Sequence, residues 1–564
     1  MFMQAVPRPR APALRQSHIP RMAFSIYKKP FFSNEDPKIY AKNSPERAHL
    51  TETIKDMKAS FPVRLPSELS GSSAKAFSQR NPSAHRNIVA EAGLATPARV
   101  NEAISSALDA KPAWEDMALE DRASVFLRAA ELVSGKYRSQ LVAASMLGQG
   151  KTIFQAEIDI IGETCDLFRF AVQCAMDLAS QQPAAQQPGS WNRLEYRPLE
   201  GFVYAVSPFN FTALGADLVG FPLMMGNAVV WKPSLSALHS SYLLYQILLE
   251  AGLPEGVVQF VPGEPEEVTN VVLEHPDFSA LHFIGSTDVF KQLHGRIGQA
   301  TGANKFKNYP RIVGESGGKN FHLVHSSADI DNAAYNTVRG GFEYQGQKCS
   351  ASSRVYVSEL AWPAFKEKLL LETAKIKTGV PEEYNNFLNG VIHEQAFDKL
   401  AGVMGRMNSD PEVTLLAGGK ACKENGYFVE PTVYQTSNPH HELMERELFG
   451  PIIAIYTYPD AEWKEILKLV DTTSSYALSG SIFARDQVAI REAQNGLKHA
   501  AGNFYVNTKC TGSVVGQQPF GGSRGSGTND KVGSLGLLSR FASVRSIKDE
   551  YVLLQGTHYP SNEV

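Results

Sequence analysis

Residues 201–232 read GFVYAVSPFNFTALGADLVGFPLMMGNAVVWK, and this stretch decides the fold. Two short apolar runs, 202–206 and 228–231, flank a helix-like segment near residues 212–225. A membrane span is disfavoured, because prolines, glycines, Asn210 and Asp217 interrupt the apolar stretch. We therefore predict a buried strand, a crossover helix and a second strand, which together form one unit of a parallel sheet.

The alternation of strand and helix continues on both sides of this unit. Residues 96–147 are predicted to form consecutive helices with one apolar face that cover the sheet. Apolar runs at 257–261 and 281–284 alternate with helix-like stretches near 238–251, 265–274 and 287–298. After about residue 311 new apolar runs predict a second α/β domain, at 321–324, 354–357, 451–456 and 479–483. Ligands of such parallel sheets bind at the carboxyl ends of the strands.

Composition limits the classes of function. The chain has 564 residues, 43% hydrophobic and 20% charged, so it can form two or three ordinary globular domains. A formal net charge of −3 with mixed signs leaves no basic stripe for nucleic acid. The five cysteines are odd in number and show no CxxC spacing, which favours reduced thiols and no metal site.

The first acidic residue is Glu35, and the preceding segment resembles a mitochondrial transit peptide. Its basic residues are Arg8, Arg10, Arg15, Arg21, Lys28 and Lys29. The alternative is a disordered basic tail, favoured by four prolines at positions 7, 9, 12 and 20. A second atypical segment, QQPAAQQPGSW at 181–191, leads into an extended stretch around 192–197, and both a linker and an exposed hairpin fit it.

One cysteine differs from the others in its surroundings. Cys165 and Cys174 lie in a helical stretch where packing explains them, and Cys422 is predicted to lie in a surface turn. Cys349 lies in EYQGQKCSASSR (343–354), a polar loop before a strand, next to the cation Lys348. Alone this pattern supports a reactive thiol only weakly, since any loop can contain a cysteine.

Seven motifs occur in a fixed order between residues 207 and 522. They are SPFNF (207–211), WKPS (231–234), FIGST (283–287), GESGGKN (314–320), GQKCSA (346–351), ELFGP (447–451) and QPFGG (518–522). With these motifs the sequence resembles the aldehyde dehydrogenase superfamily. It is most similar to the branch that oxidises L-glutamate γ-semialdehyde, in equilibrium with pyrroline-5-carboxylate, to glutamate in proline degradation. The markers of this branch are VSPFNFT, GESGGKNFHLVH, FEYQGQKCSASSR, AAGNFYVN and TGSVVGQQPFGGSRGSGTNDK.

The resemblance implies a catalytic set of three residues. Cys349 matches the nucleophile, whose thiolate attacks the aldehyde carbon. Asn210 matches the side-chain donor of the oxyanion hole, and Glu315 matches the general base that activates the hydrolytic water. The glycines at 314, 317 and 318 are expected to let that carboxylate move. The structural alternatives are a turn residue for Asn210 and an ordinary loop carboxylate for Glu315.

The resemblance also implies NAD as cofactor. The residues it assigns to NAD binding are Ser207, Phe209, Lys232, Gly285, Ser286, Glu447 and Phe449. Among these, Lys232 would bind the adenosine ribose, and Ser286 would meet the pyrophosphate at a helix N-terminus. Two positions depart from the wider superfamily, where many members have glutamate instead of Leu235 and glycine instead of Phe290. The first departure weakens the argument for NAD over NADP, and NAD remains the expectation.

For the substrate, the resemblance implies separate contacts to each end of the semialdehyde. Ser350, Gly512 and Ser513 match the loop that anchors the α-carboxylate. Phe211 and Phe520 match the aromatic pair around the aliphatic chain, although either could be a core residue. Glu163 is a candidate for the ammonium group.

The predicted fold class is α/β, an aldehyde dehydrogenase fold with a Rossmann-type NAD-binding domain, an α/β catalytic domain and a small oligomerisation arm. We expect a transit segment at 1–34, an NAD-binding domain at 35–312 with an oligomerisation hairpin near 182–197, and a catalytic domain at 313–516. Residues 517–564 are expected to return to the NAD-binding domain and to form a C-terminal oligomerisation segment. The expected protein is a homodimer or larger homo-oligomer of the mitochondrial matrix, without nucleic acid or a membrane span. Two alternatives remain: an enzyme for another semialdehyde, and an inactive structural or binding member of the family.

Overall fold

The computed structural model describes residues 32–71 and 75–563. The predicted transit segment therefore lies outside the described residues, apart from its last three positions. There Asn34 already packs on the folded part, since its Nδ2 donates to Asp166 Oδ2 at 2.7 Å and to the Val515 carbonyl at 2.8 Å. Within the described ranges, no helix combines the length and apolar character needed to cross a bilayer.

The decisive stretch folds as predicted. Strand Phe202–Val206, helix Ala213–Met224 and strand Ala228–Lys232 follow one another, and the two strands pair in parallel. They belong to a five-stranded parallel sheet with the order Val258–Phe260, Ala228–Lys232, Phe202–Val206, Phe278–Ile284 and Arg311–Glu315. The other helices of this region are Leu238–Glu250, Pro265–Glu274 and Thr287–Gly302. The last strand extends the sheet three residues beyond the expected domain limit at 312, and the domain limits stay a prediction.

Helices cover this sheet because their apolar faces need a partner. Residues 96–147, predicted as consecutive helices, contain Pro97–Glu115, Leu119–Ser134 and most of Arg138–Gln149. The remaining helices of this layer are Pro45–Ala59, Ile153–Ala156 and Thr164–Ala179. A π-helical turn, Glu157–Glu163, joins the last two, and such turns frequently occur at functional sites.

The register of the five strands defines one edge of the sheet. Val206 pairs with both Lys232 and Phe283, and Ile284 pairs with Glu315. The residues that follow these positions, including the SPFNF turn, therefore lie along the common carboxyl edge.

The second sheet has seven strands. Their order is Val413–Ala417, Thr432–Thr436, Ile452–Tyr458, Ser352–Ser358, Asn320–Val324, Ser479–Phe483 and Asn503–Val506. Only the edge strand Val413–Ala417 runs antiparallel to its neighbour. The helices of this region are Ile330–Phe342, Trp362–Ala374, Glu394–Met407, Glu442–Glu445, Trp463–Thr472 and Gln487–Gly496. The predicted second α/β region is confirmed.

Smaller sheets complete the fold. A three-stranded sheet joins Val63–Arg64, Ala84–Gly93 and Ala76–Asn81. Two-residue strands pair as Ala421–Cys422 with Phe428–Val429, and as Tyr476–Ala477 with Ser523–Arg524. A short helix, Leu535–Ser539, precedes the C-terminal strand.

The prediction of a local hairpin near residues 182–197 is wrong, and the oligomerisation role of this segment stays a prediction. Strand Ser190–Pro198 pairs antiparallel with Ala542–Glu550, a segment near the other end of the chain, over nine residue pairs. Residues 181–189 contain no strand that could form a local partner. The sequence could not reveal this pairing because the partner lies far along the chain, beyond the range of local turn signals.

Candidate active site

Cys349 lies in a loop whose backbone is unusual. The preceding residues Tyr344, Gln345 and Gly346 all have positive φ, at 53°, 55° and 65°. Two consecutive non-glycine residues in this region carry strain, which surrounding contacts must offset. Gly346 is required here, because an added Cβ would lie 2.3 Å from the Gly450 carbonyl oxygen. The chain therefore folds tightly just before the cysteine.

Asn320, the first residue of a central strand, fixes the cysteine loop. Its Nδ2 donates to the carbonyls of Cys349 at 2.7 Å and Ala351 at 2.9 Å, and its Oδ1 accepts from the Ser479 N–H at 3.0 Å. Gly318 permits this approach, since a Cβ there would lie 2.5 Å from the Cys349 oxygen. Sequence reasoning missed Asn320 as a functional residue, although it ends the GESGGKN motif.

The cation next to Cys349 in sequence is directed away from the thiol. Lys348 Nζ lies 3.0 Å from Glu343 Oε2, and Lys509 Nζ lies at the same distance from that oxygen. Burial would raise the pKa of Glu343, but Lys348, Lys509 and Arg339 outweigh it and hold that pKa at about 2. Lys348 therefore neutralises a buried carboxylate.

The thiol itself is in an environment that disfavours its ionised form. Burial, together with the carboxylates of Glu447, Glu315 and Glu163, raises the pKa of Cys349 to about 12. All three carboxylates thus act electrostatically on the sulfur. In this state the sulfur is a neutral thiol at physiological pH, so a nucleophilic role requires a base.

The structure brings Asn210 and Glu315 to this loop from the other sheet. Asn210 is buried, and its Nδ2 donates to the Gln347 carbonyl at 3.1 Å, two residues before the cysteine. Glu315 ends its strand, and its Oε2 accepts from the Gly522 N–H at 3.1 Å. Burial raises the pKa of Glu315 well above its usual value. The raised pKa makes the ionised carboxylate a stronger base than an exposed glutamate.

Glycines between the two sheets make space for neighbouring groups. An added Cβ on Gly317 would lie 2.1 Å from Glu447 Oε2, and Gly318 N–H donates to Glu447 Oε1 at 2.8 Å. Burial raises the pKa of Glu447 to about 7. Close packing thus explains these glycines, and the expected movement of the Glu315 carboxylate stays a prediction.

The carboxyl edge of the five-stranded sheet carries five of the seven residues assigned to NAD, and Glu447 and Phe449 precede a strand of the other sheet. Lys232 is buried, its pKa is lowered by burial to about 8, and its Nζ makes no hydrogen bond within the described part of the chain. Ser207 Oγ accepts from Trp231 Nε1 at 2.9 Å. Ser286 caps helix Thr287–Gly302, which presents its N-terminus at this edge beside Gly285. A buried ammonium and a helix N-terminus fit a ribose hydroxyl and a pyrophosphate.

Aromatic residues line the cofactor side. The rings of Phe209 and Phe449 meet edge to face with centroids 5.7 Å apart. Phe290, where many family members have glycine, is buried and stacks on Phe283 at 5.6 Å. An added Cβ on Gly314 would lie 2.2 Å from the Phe290 ring, so the ring fits here only because residue 314 is glycine. Leu235 begins a short 3₁₀ turn and is half-buried.

The residues assigned to the substrate lie on both sides of the thiol. Ser350 Oγ hydrogen-bonds Thr511 Oγ1 at 2.7 Å, which joins the cysteine loop to Gly512 and Ser513. Gly512 has φ +88° and is exposed, and Ser513 is half-buried. Phe211 and Phe520, assigned to the aliphatic chain of the substrate, are both half-buried. Burial raises the pKa of Glu163, the candidate partner of the ammonium group, to about 8.

These features define an α/β protein of the dinucleotide-binding type, with a cysteine, an amide and buried carboxylates between two parallel sheets. The chain belongs to the aldehyde dehydrogenase family, whose family model matches residues 69–547. A mitochondrial delta-1-pyrroline-5-carboxylate dehydrogenase from Emericella nidulans is 55% identical over 546 residues, 96% of this chain and 95% of the relative. The human protein of that name is 44% identical, with 92% of each chain covered. The NAD-bound crystal structure of the Mycobacterium tuberculosis Delta-pyrroline-5-carboxylate dehydrogenase matches with a TM-score of 0.91 and 40% identity, covering 96% of this chain and 100% of that chain.

Proposed function

We propose that this protein oxidises L-glutamate γ-semialdehyde, formed from 1-pyrroline-5-carboxylate, to L-glutamate with NAD, the second step of proline degradation. The observation that carries the proposal is the convergence of Cys349, Asn210 and Glu315 from separate parts of the chain. Relatives named for this activity, identical at 55% and 44% over nearly the whole chain, support the choice of substrate.

The chain's own residues supply the covalent chemistry. Cys349 Sγ bonds to the aldehyde carbon as Glu315 takes the thiol proton, because the raised thiol pKa makes a base necessary. Asn210 Nδ2 has a second hydrogen beyond the one bonded to Gln347, and that hydrogen with the Cys349 N–H stabilises the developing oxyanion. After oxidation to the thioester, Glu315 releases the thiol proton to solvent and then deprotonates the water that hydrolyses the thioester, which frees glutamate and returns Cys349.

The residues present fit NAD. Lys232 would offer its buried ammonium, which makes no hydrogen bond within the described residues, to the adenosine ribose. Ser286 and its helix N-terminus would receive the pyrophosphate, and Glu447 would hold the nicotinamide ribose. Ser207, Phe209 and Gly285 shape the same edge, and Phe449 meets Phe209 from the opposite sheet. When bound, NAD accepts the hydride lost by the substrate carbon. The NAD in matching solved structures supports this cofactor.

The substrate's two ends have different partners in this proposal. Ser350, Gly512 and Ser513 bind the α-carboxylate, because hydroxyl and backbone donors suit an anion. Phe211 and Phe520 enclose the aliphatic chain, and Glu163 faces the ammonium group. Location in the mitochondrial matrix and assembly into a homodimer or larger homo-oligomer complete the proposal. The mitochondrial names of the relatives support a mitochondrial location.

The decisive experiment compares substrates. The purified enzyme is given NAD with chemically generated pyrroline-5-carboxylate, with succinic semialdehyde and with simple aliphatic aldehydes, and NADH is measured by absorbance. We expect the highest kcat/KM for pyrroline-5-carboxylate and a strong dependence on the α-carboxylate. Equal or better turnover of another semialdehyde would replace the proposed substrate, and no NADH with any aldehyde would indicate an inactive family member.

A further inference from the structure

A buried cation outside the proposed catalytic set lies between the two loops of the site. Lys151 follows Gly150, which ends helix Arg138–Gln149 in the left-handed conformation at φ +69°. The Lys151 side chain is 1% exposed, and its Nζ lies 2.5 Å from Oδ2 of Asp159, which is equally buried. A buried pair of this kind needs further contacts to offset the loss of hydration.

Asp159 supplies those contacts to the oxyanion side of the site. Its Oδ2 accepts from the Thr212 N–H at 3.2 Å, and its Oδ1 accepts from the Ala213 N–H at 3.0 Å. These N–H groups begin helix Ala213–Met224, where an anion is favoured. Asp159 therefore fixes the chain two residues after Asn210.

The Lys151 ammonium also contacts two aromatic rings. Its Nζ lies 4.1 Å from the centroid of Phe211 and 4.6 Å from that of Tyr344, and the two rings meet edge to face. Phe211 follows Asn210, and Tyr344 begins the left-handed turn that leads to Cys349. The Tyr344 hydroxyl has no hydrogen-bond partner among the described residues. The position of the Tyr344 ring therefore depends on its contacts with Lys151 and Phe211. Cation–π attraction is strongest where water is absent.

The two residues before Lys151 hold the same two loops. Gln149 Nε2 donates to the Phe209 carbonyl at 2.6 Å, and Gln149 Oε1 accepts from Thr212 Oγ1 at 3.1 Å. The Gly150 carbonyl accepts from Gln345 Nε2 at 2.9 Å. Residues 149–151 thus touch the SPFNF turn and the cysteine turn together.

We propose that Lys151, paired with Asp159, is a positioning residue that holds the oxyanion donor Asn210 and the loop of the nucleophile Cys349 in register. The inference rests on the proposed function for the roles of Asn210 and Cys349. Without the ammonium, Asp159 is a lone buried charge, and the rings of Phe211 and Tyr344 lose their shared contact. The loop that carries Asn210 and the loop that carries Cys349 are then no longer held at a fixed distance.

A second buried ion pair provides the matched control. Arg138 begins the same helix and bonds Glu157 of the same π-helical turn, with both side chains at most 6% exposed. Glu157 also accepts from the Lys38 N–H and the Tyr40 hydroxyl, so this pair faces the N-terminal segment. Arg138→Met removes a cation with a similar structural role but without contact to either catalytic loop.

The test compares Lys151→Met with Arg138→Met in the full-length enzyme. Thermal unfolding, NAD affinity, kcat and KM for the semialdehyde and hydrolysis of p-nitrophenyl acetate are measured for each. The ester reports the thiol and the oxyanion donor without NAD or the semialdehyde, and Cys349→Ala defines its background. We expect both variants to lose stability, but only Lys151→Met to lose kcat and ester hydrolysis, on the order of tenfold to a hundredfold. Its KM and NAD affinity stay close to wild type.

Equal losses of kcat in both variants, or wild-type ester hydrolysis by folded Lys151→Met, would overturn the positioning role. If Lys151→Met does not fold, the double variant Lys151→Met with Asp159→Asn removes both charges and leaves no lone buried ion. That double variant is expected to fold and to remain slow, and normal turnover in it would equally overturn the inference. A wild-type enzyme that hydrolyses the ester but ignores the semialdehyde would overturn only the proposed substrate.

Discussion

The five-stranded sheet contributes to the crevice through the carboxyl ends of its strands, whereas the seven-stranded sheet contributes through the amino ends. Lys232 and Glu315 end strands of the first sheet. Cys349 precedes strand Ser352–Ser358 of the second sheet, and Asn320 begins its neighbour. The chain passes between the two edges over only residues 316–319, so the edges face one another.

The two edges differ in backbone geometry. On the first edge, regular strands and the helix N-terminus after Ser286 form the site with ordinary backbone geometry. On the second edge, residues with positive φ such as Tyr344, Gln345 and Phe449 shape the loops. Those loops depend on distant hydrogen bonds to hold strained conformations. We therefore expect mutations of the second edge to affect chemistry, except at the cofactor contacts Glu447 and Phe449. Mutations of the first edge should affect the cofactor, except at the catalytic residues Asn210 and Glu315.

The largest expected effect is that of Cys349→Ala on the second edge. Turnover should fall on the order of 10⁴-fold or more, because the bond-forming sulfur is lost. NAD affinity, measured by fluorescence titration, should stay unchanged because the first edge is intact. The control is Cys422→Ala, which removes an exposed thiol and should leave kcat unaltered. Residual turnover close to wild type would show that another group is the nucleophile.

Glu315→Gln tests one of the two catalytic residues that we place on the first edge, the other being Asn210. We expect the NADH burst to slow and the steady state to fall by about 10²- to 10⁴-fold, since neither the Cys349 thiol nor the hydrolytic water then has its base. Burial raises the Glu315 pKa, and only the ionised carboxylate accepts a proton. Wild-type deacylation should therefore rise as pH increases through that pKa, and the variant should lack this rise in stopped-flow measurements. An unchanged steady state would remove Glu315 from the mechanism.

Asn320→Ala tests how the second edge is held. Two buried carbonyls lose their donor, which should lower the free energy of unfolding by about 1–3 kcal/mol. Misplacing the Cys349 backbone should also lower kcat by on the order of tenfold to a hundredfold. Asn320→Asp is the matched variant, because it retains an acceptor for Ser479 N–H but not the two donated bonds. Wild-type kcat in both variants would show that the strand anchor does not position the thiol.

The smallest effect is expected for Lys232→Met. The KM for NAD should rise about tenfold through loss of one ribose contact, with kcat nearly unchanged. Removing a buried ammonium that makes no hydrogen bond in the described chain should not destabilise the fold, because the desolvation cost outweighs the attraction to Glu264, as thermal unfolding will report. A loss of kcat without a change in KM would place Lys232 in the chemistry instead. It would also contradict the expectation that this part of the first edge serves the cofactor.

Much of the fold was predictable because it depends on local pattern. The apolar runs of the first sheet correspond to Phe202–Val206 and Ala228–Lys232, and the helix between them to Ala213–Met224. The order of motifs then gave the family, which the match to residues 69–547 confirms. The roles of Cys349 and Asn210 came from motif position and remain to be tested.

Sequence alone determined the periodicity, the family and the candidate residues, because these depend on neighbours along the chain. Only the tertiary structure revealed the role of Asn320 in the cysteine loop, the direction of Lys348 toward Glu343, and the pairing of Ser190–Pro198 with Ala542–Glu550. It likewise placed Lys151 between two aromatic rings. These contacts join residues that are distant in sequence, or depend on which way a side chain points. Both are set by the close packing of the folded chain and not by neighbouring residues in the sequence.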